Sequence, residues 1–241
     1  MDSVNKTDGV GYDKDTSEKY TAGQDTFFNV EKVKDGATIA MADKIRSLAP
    51  LHAIVDIGCG SNADYLQLWG ECAVAQVIIG VEPSLYMREL LLKKVTLPLK
   101  DKLQVADGNW LNTNLDADIA DLVVSRFSLH NINNIADGYK ELSRILKPEA
   151  CAIISLPHPD YCKKKLWSKN REAVESAPME VDVFDTTLHY FYHELDAYLG
   201  ENLTKNGLIL MESTSLNWGS KNNEELGIPN TLIFTIKKVE K

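Results

Sequence analysis

The chain has 241 residues, 44% hydrophobic and 25% charged, the make-up of a folded domain with a sizeable core; bulk disorder is excluded. Its 35 acids against 26 bases leave a formal charge of −9, a field that repels polyanions and argues against nucleic acid as a partner. The run Lys163, Lys164 and Lys165 is the one conspicuous basic patch, and it reads as a solvated loop.

In chain order, residues 1–19 are polar and weakly periodic, and 1–28 is expected to be an arm that orders over a ligand. Helical spacing over 29–48, with Val33, Ile39, Ile45 and Leu48 on one buried face, ends at Pro50. Strands are predicted at 53–57, 76–81, 102–106, 122–125, 151–156, 208–213 and 231–237, with helices at 63–69, 84–94 and 135–146. Runs such as IVDIG, VIIGV and DLVVS are too apolar to alternate, as parallel strands covered on both faces require. The reading is one α/β domain over 1–241, a doubly wound, mostly parallel seven-stranded sheet with helices on both faces and an antiparallel last strand. Residues 157–193 break the rhythm with three prolines, many charges and many aromatics, and are expected to form a lid or substrate wall; HELDAYLGENLTKNG then resumes as a helix.

The four cysteines lack CxxC spacing, so neither a disulfide framework nor a zinc knuckle is expected. No basic-then-apolar leader and no apolar stretch near the roughly 20 residues of a membrane span are present, so a cytoplasmic protein without a membrane partner is expected.

The chemistry-bearing signal is IVDIGCGSN at 54–62. A buried strand delivers Asp56, and Gly58, Cys59 and Gly60 then turn the backbone tightly enough to approach a ligand before a helix begins. A dinucleotide fingerprint needs a third glycine, and Ala63 stands there, so a nicotinamide or flavin dinucleotide fits less well. Acids then recur at strand ends. Glu82, beside Pro83, can accept from both hydroxyls of a ribose, and Asp107 can accept from an exocyclic amine, with the Gly108 and Asn109 amides available to a ring nitrogen. A single acid after a strand is more often a helix cap; three in register with a glycine turn are hard to assign to capping alone.

The order VDIGCGSN, VEPS, ADGNWL, ADLVVSRFSLHNI and ELSRILKPEACAIIS resembles the class I S-adenosylmethionine-dependent methyltransferases, in particular the small-molecule group that includes ubiquinone and menaquinone biosynthesis enzymes. The match runs from about residue 12 to the end. The resemblance implies S-adenosylmethionine as cofactor, with 56–60 around its methionyl end, Glu82 at the ribose, Asp107 and Gly108 at the adenine, and Arg126 and Phe127 beside it. GYDKDTSEKY resembles the family's tyrosine-bearing helix that folds over the cofactor, which makes Tyr20, and less directly Tyr12, candidates. Two departures are the missing third glycine and Asp107-Gly108 in place of an acid-alanine step.

Methyl transfer from a sulfonium mainly needs two positioned reactants and excluded water, with neither metal nor covalent nucleophile. A base helps only for a hydroxyl or protonated amine, which directs attention to the histidines. His52 is expected at the surface, and His130 either caps a helix or lines the pocket. His193, in a stretch resembling the group's HxxLxxYL pattern, is the first catalytic candidate and His158 the second, with simple anchoring of the lid an equal alternative. Asp160, Asp182 and Asp185 lack metal-ligand spacing, so no metal is expected. The expected activity is methylation of oxygen or nitrogen on a small metabolite by a monomer or homodimer. Alternatives are a tRNA or protein methyltransferase and a non-catalytic cofactor-binding regulator.

Overall fold

The computed structural model describes residues 12–31, 35–168, 174–183, 185–217 and 229–240. A seven-stranded sheet runs in the order β3-β2-β1-β4-β5-β9-β8. Its strands are β1 (Ala53–Ile57), β2 (Val77–Val81), β3 (Leu103–Ala106), β4 (Ala120–Arg126), β5 (Leu146–Pro157), β8 (Leu208–Leu216) and β9 (Thr231–Lys238). The first five pair in parallel, and β9 runs antiparallel to both β5 and β8, as the sequence reading expects.

Every residue of β1 is buried because apolar layers press on both faces. On one side Ile54, Ile78 and Leu122 pack against Met41 and Ile45 of α2 (Gly36–Leu48) and Leu66 and Trp69 of α3 (Ala63–Ala73). On the other, Val55, Ile79, Val123 and Ile154 pack against Tyr139 and Leu142 of α5 (Ile135–Ile145). Helix α4 (Leu85–Lys94) follows β2, capped by the Ser84 hydroxyl.

Three expectations are corrected. The 29–48 helix is two helices: α1 (Lys14–Glu31) and α2, which starts afresh because the Asp35 carboxylate accepts from the Thr38 amide at 2.9 Å and the Thr38 hydroxyl at 2.6 Å. The buried face of α2 is Ala37, Thr38, Met41, Ala42 and Ile45; of the expected face Ile45 is buried, Ile39 is 47% exposed, and Val33 lies outside the described residues. The helix expected after His193 is two short pieces, α7 (Leu195–Leu199) and α8 (Glu201–Lys205), parted at Gly200, whose ψ of −147° leaves the helical range.

Residues 157–193 have structure of their own: α6 (Pro159–Ser168) and an antiparallel hairpin, β6 (Pro178–Val183) with β7 (Thr186–Phe191). Residues 1–11 of the expected arm lie outside the described residues, as does Phe184 of the 157–193 segment. Among the described residues, no helix is long and apolar enough to cross a membrane.

Candidate active site

Between β1 and β4 the strand order reverses, and in an open parallel sheet this is where a crevice forms at the carboxyl ends. Gly58 and Gly60 turn the chain there at φ 77° and 60°, conformations that a side chain disfavours. The Gly58 and Cys59 amides both donate to the Val81 carbonyl, at 2.8 and 3.2 Å, stitching the corner to β2. A Cβ on Gly58 would sit 2.3 Å from Ser128 Cβ, whereas one on Gly60 would meet nothing within 4 Å. The protein itself fills the space beside the first glycine and leaves the second open. Helix α3 then presents its N-terminus, with Asn62 Oδ1 accepting from the Asp64 and Tyr65 amides at 3.0 and 3.3 Å. Cys59 packs its sulfur where a Cβ on Gly80 would come within 2.8 Å, and burial pushes its thiol well up, so it is a neutral spacer.

A layer that the sequence reading missed holds this corner. The carbonyl of Ile57 accepts from the Ser125 and Ser128 hydroxyls at 2.9 and 2.7 Å, and the Trp110 indole donates to Ser128 Oγ at 2.8 Å. The spacing of the two serines in SRFS, three apart at the end of β4, was the available signal.

Glu82 is buried at the end of β2. Its Oε2 accepts from the Gly60 amide at 3.1 Å and its Oε1 from the Ser84 amide at 2.9 Å. Each oxygen keeps a lone pair free for a hydroxyl. Burial pushes Glu82 up to about 7 against the pull of those two amides, and pushes Asp56 up to about 7 against the nearby Arg126. The two acids closest to the crevice are thus poised between charged and neutral near pH 7.

Asp107 is the exception among the strand-end acids, with a side chain 71% exposed and tied to Arg88 Nη1 at 2.9 Å. The same Arg88 nitrogen donates to the carbonyls of Glu82 at 2.6 Å and Pro83 at 2.9 Å, binding the ends of β2 and β3 together. Gly108 is held close, since a Cβ there would lie 2.5 Å from the Thr113 carbonyl. The Asn109 amide donates to the Asn112 carbonyl at 2.9 Å, which corrects the expectation that it is available to a ring nitrogen. Asn109 Oδ1 accepts from the Leu111 and Asn112 amides, so this residue shapes its own loop.

Arg126 spreads its guanidinium over the rings of Tyr65 at 4.6 Å and Phe127 at 4.8 Å and reaches Asp35 at 3.4 Å, linking the end of β4 to the cap of α2. Phe127 stands at φ 54°, with its amide on the Ser155 carbonyl at 2.8 Å. A bulky residue in the left-handed region at a strand end is the kind of strain that collects at functional sites. Helix α1 lies across this end of the sheet: Thr21 Oγ1 meets Ser61 Oγ at 2.7 Å, and Ser84 Oγ donates to the Tyr12 carbonyl at 3.0 Å. Tyr12 and Tyr20 stack edge to face at 5.4 Å, and the buried Tyr20 hydroxyl is raised by burial and lowered by Arg126.

Both catalytic candidates have hydrogen-bond partners in the scaffold. His193 faces Glu175 Oε1 at 2.5 Å through Nδ1 and donates from Nε2 to the Ile132 carbonyl at 2.8 Å, so both ring nitrogens tie the hairpin region to the segment after β4. His158 accepts the Asp160 amide on Nδ1 at 3.2 Å, opening α6, and burial lowers its pKa. His130 is different: it is 3% exposed, neither ring nitrogen has a hydrogen-bond partner among the described residues, and its ring stands edge-on to Tyr190 at 4.2 Å.

Comparison with known proteins agrees with this geometry. Residues 55–154, from β1 into β5, match a family model described as a methyltransferase domain. The demethylmenaquinone methyltransferase of Lactiplantibacillus plantarum is 27% identical over 122 residues, 48% of this chain and 52% of that protein; the chain thus spans about half the length of the curated relative it matches. Among solved structures, an S-adenosylmethionine dependent methyltransferase from Mesorhizobium loti superposes with a TM-score of 0.61 at 16% identity, covering 81% of this chain and 96% of that one. The geranyl diphosphate C-methyltransferase of Streptomyces coelicolor A3(2), in complex with Mg2+, geranyl diphosphate and S-adenosyl-L-homocysteine, gives 0.63 at 15% identity, covering 98% and 92%. The methyltransferase-domain match lies within residues 55–154, and the strand order with its reversed last strand gives the chain the fold of class I S-adenosylmethionine-dependent methyltransferases.

Proposed function

We propose that this protein transfers a methyl group from S-adenosylmethionine to an oxygen or nitrogen of a small metabolite. The carrying observation is Glu82, a buried carboxylate oriented by the Gly60 and Ser84 amides directly beside a glycine whose missing Cβ opens onto empty space. The crevice residues fit the cofactor. The 56–60 corner suits its methionyl end, Glu82 and Pro83 its ribose, and Asp107 and Gly108 its adenine, with Asn109 shaping the adenine loop. Tyr20, Arg126 and Phe127 close it from α1 and β4. When bound, the cofactor supplies a methyl carbon on a cationic sulfur, which departs with the bonding pair as S-adenosylhomocysteine.

The chain's own contribution is placement and dryness. Helix α1 covers the crevice, and the 157–193 segment, held by His193 and by Lys163 on Glu194 at 2.8 Å, walls off the acceptor side. In this reading His193 and His158 are positioning residues for that wall. An acidic monomer or homodimer in the cytoplasm, with a small molecule rather than nucleic acid or a membrane as partner, is consistent with the net charge of −9.

Calorimetric titration with S-adenosylhomocysteine tests the cofactor assignment: affinity drops in Glu82→Ala and Asp107→Ala, and unchanged affinity in both overturns it. Turnover with the 13C-methyl cofactor and NMR of the product tests the acceptor atom, a methyl bound to carbon being the contrary result.

A further inference from the structure

Beneath the hairpin lies a cavity that the cofactor crevice does not account for. Its wall carries Cys162, Met179, Tyr190, Tyr192 and Tyr198, together with His193, whose two ring nitrogens are taken by Glu175 and the Ile132 carbonyl, and His130 faces it from the turn after β4. No Lys, Arg, Asp or Glu contributes to the lining. A phosphate or carboxylate would find no counter-ion there, and burying one unpaired is strongly unfavourable. Aromatic and thioether walls instead favour a flat apolar body.

His130 adds a specific demand. Burial drives its pKa down to about 3, with His193 contributing in the same direction, so the ring is neutral near pH 7. A neutral imidazole offers one N–H donor and one bare acceptor nitrogen, and both are unpartnered among the described residues. Leaving a buried donor and acceptor unmade is unfavourable. A hydroxyl, which both gives and takes, answers either atom. The cavity also adjoins the cofactor side: β7, which carries Tyr190, packs against the cover helix α1, and Tyr190 stands edge-on to His130.

We infer that this cavity is the acceptor site and that His130 selects an uncharged aromatic hydroxyl, a phenol-type acceptor, by hydrogen bonding. The inference rests on the methyltransferase reading above. The space is ≈ 10 Å³, room for about one water, so seating an aromatic ring there requires the hairpin to move outward.

The test titrates the full chain, saturated with S-adenosylhomocysteine, with p-cresol, 4-methylanisole and 4-methylbenzoate. The wild type binds p-cresol roughly tenfold more tightly than 4-methylanisole and does not bind the benzoate. His130→Leu removes two unsatisfied polar atoms, so it melts no lower than the wild type and loses the preference for cresol over anisole. His130→Gln, which keeps a donor and an acceptor, retains part of it. Absence of cresol binding to the saturated wild type, or the same preference in His130→Leu, overturns the inference and leaves a buried water as the partner of His130. Failure of S-adenosylhomocysteine itself to bind overturns the underlying reading instead.

Discussion

Replacing each corner glycine by alanine separates the ligand's requirements from those of the fold. In Gly60→Ala the new Cβ meets nothing within 4 Å, so the cost is confined to a side chain at φ 60°, about 1–2 kcal/mol. For a chain of this size that lowers the melting temperature by roughly 2–8 °C. In Gly58→Ala the same backbone cost is joined by a Cβ 2.3 Å from Ser128 Cβ and 2.4 Å from its hydroxyl, in a serine already engaged with Ile57 and Trp110. Overpacking adds about 1–3 kcal/mol, giving a melting loss of roughly 4–20 °C. The order reverses for the ligand. In the proposed function the cofactor approaches through the space beside Gly60, so Gly60→Ala weakens S-adenosylhomocysteine binding by at least about tenfold despite its milder melting loss. Thermal melts and calorimetric titration of both variants check this. Wild-type affinity in Gly60→Ala, or a melting loss equal to that of Gly58→Ala, would show that the open side of the corner is not the binding face.

Three further outcomes follow from the same geometry. Asp56 and Glu82 keep their protons to about pH 7 when folded, but release them near 3.8 and 4.5 in the unfolded chain. Between those limits the folded state binds more protons, so ligand-free stability falls as pH rises from about 4 to about 7; melts across that range lose part of this slope in Asp56→Asn/Glu82→Gln, and an identical slope contradicts the assignment. Asp107→Ala, at a largely exposed side chain, changes stability by less than about 1 kcal/mol while weakening S-adenosylhomocysteine; a large melting shift would mean that its pair with Arg88 is structural. His193→Ala leaves the Ile132 carbonyl without its donor, costs about 1–3 kcal/mol and speeds proteolysis within 157–193, yet keeps S-adenosylhomocysteine affinity within about twofold; loss of that affinity would place His193 in the cofactor site.

By itself the sequence determined the sheet and the cofactor crevice, because both are written locally. Unbroken apolar runs can only be buried parallel strands, and an acid followed by Gly58 and Gly60 can only turn sharply at a strand end. Such signals survive without knowledge of neighbours. Phases and partners did not. The helix expected over 29–48 breaks because Asp35 finds both an amide and a hydroxyl within three residues, a competition that periodicity does not register.

Asp107 and Glu82 look alike in sequence as acids after strands. Only the packing decides that one is buried on two amides while the other lies 71% exposed against Arg88. The histidines make the same point. His193 and His158 sit in suggestive motifs, yet His193 is held by a carbonyl and a carboxylate and His158 Nδ1 by an amide, whereas His130, lining the same cavity as His193, has neither nitrogen bonded among the described residues. A side chain's free valence depends on which distant backbone groups the fold brings within about 3 Å, and those contacts are made between segments far apart in the chain.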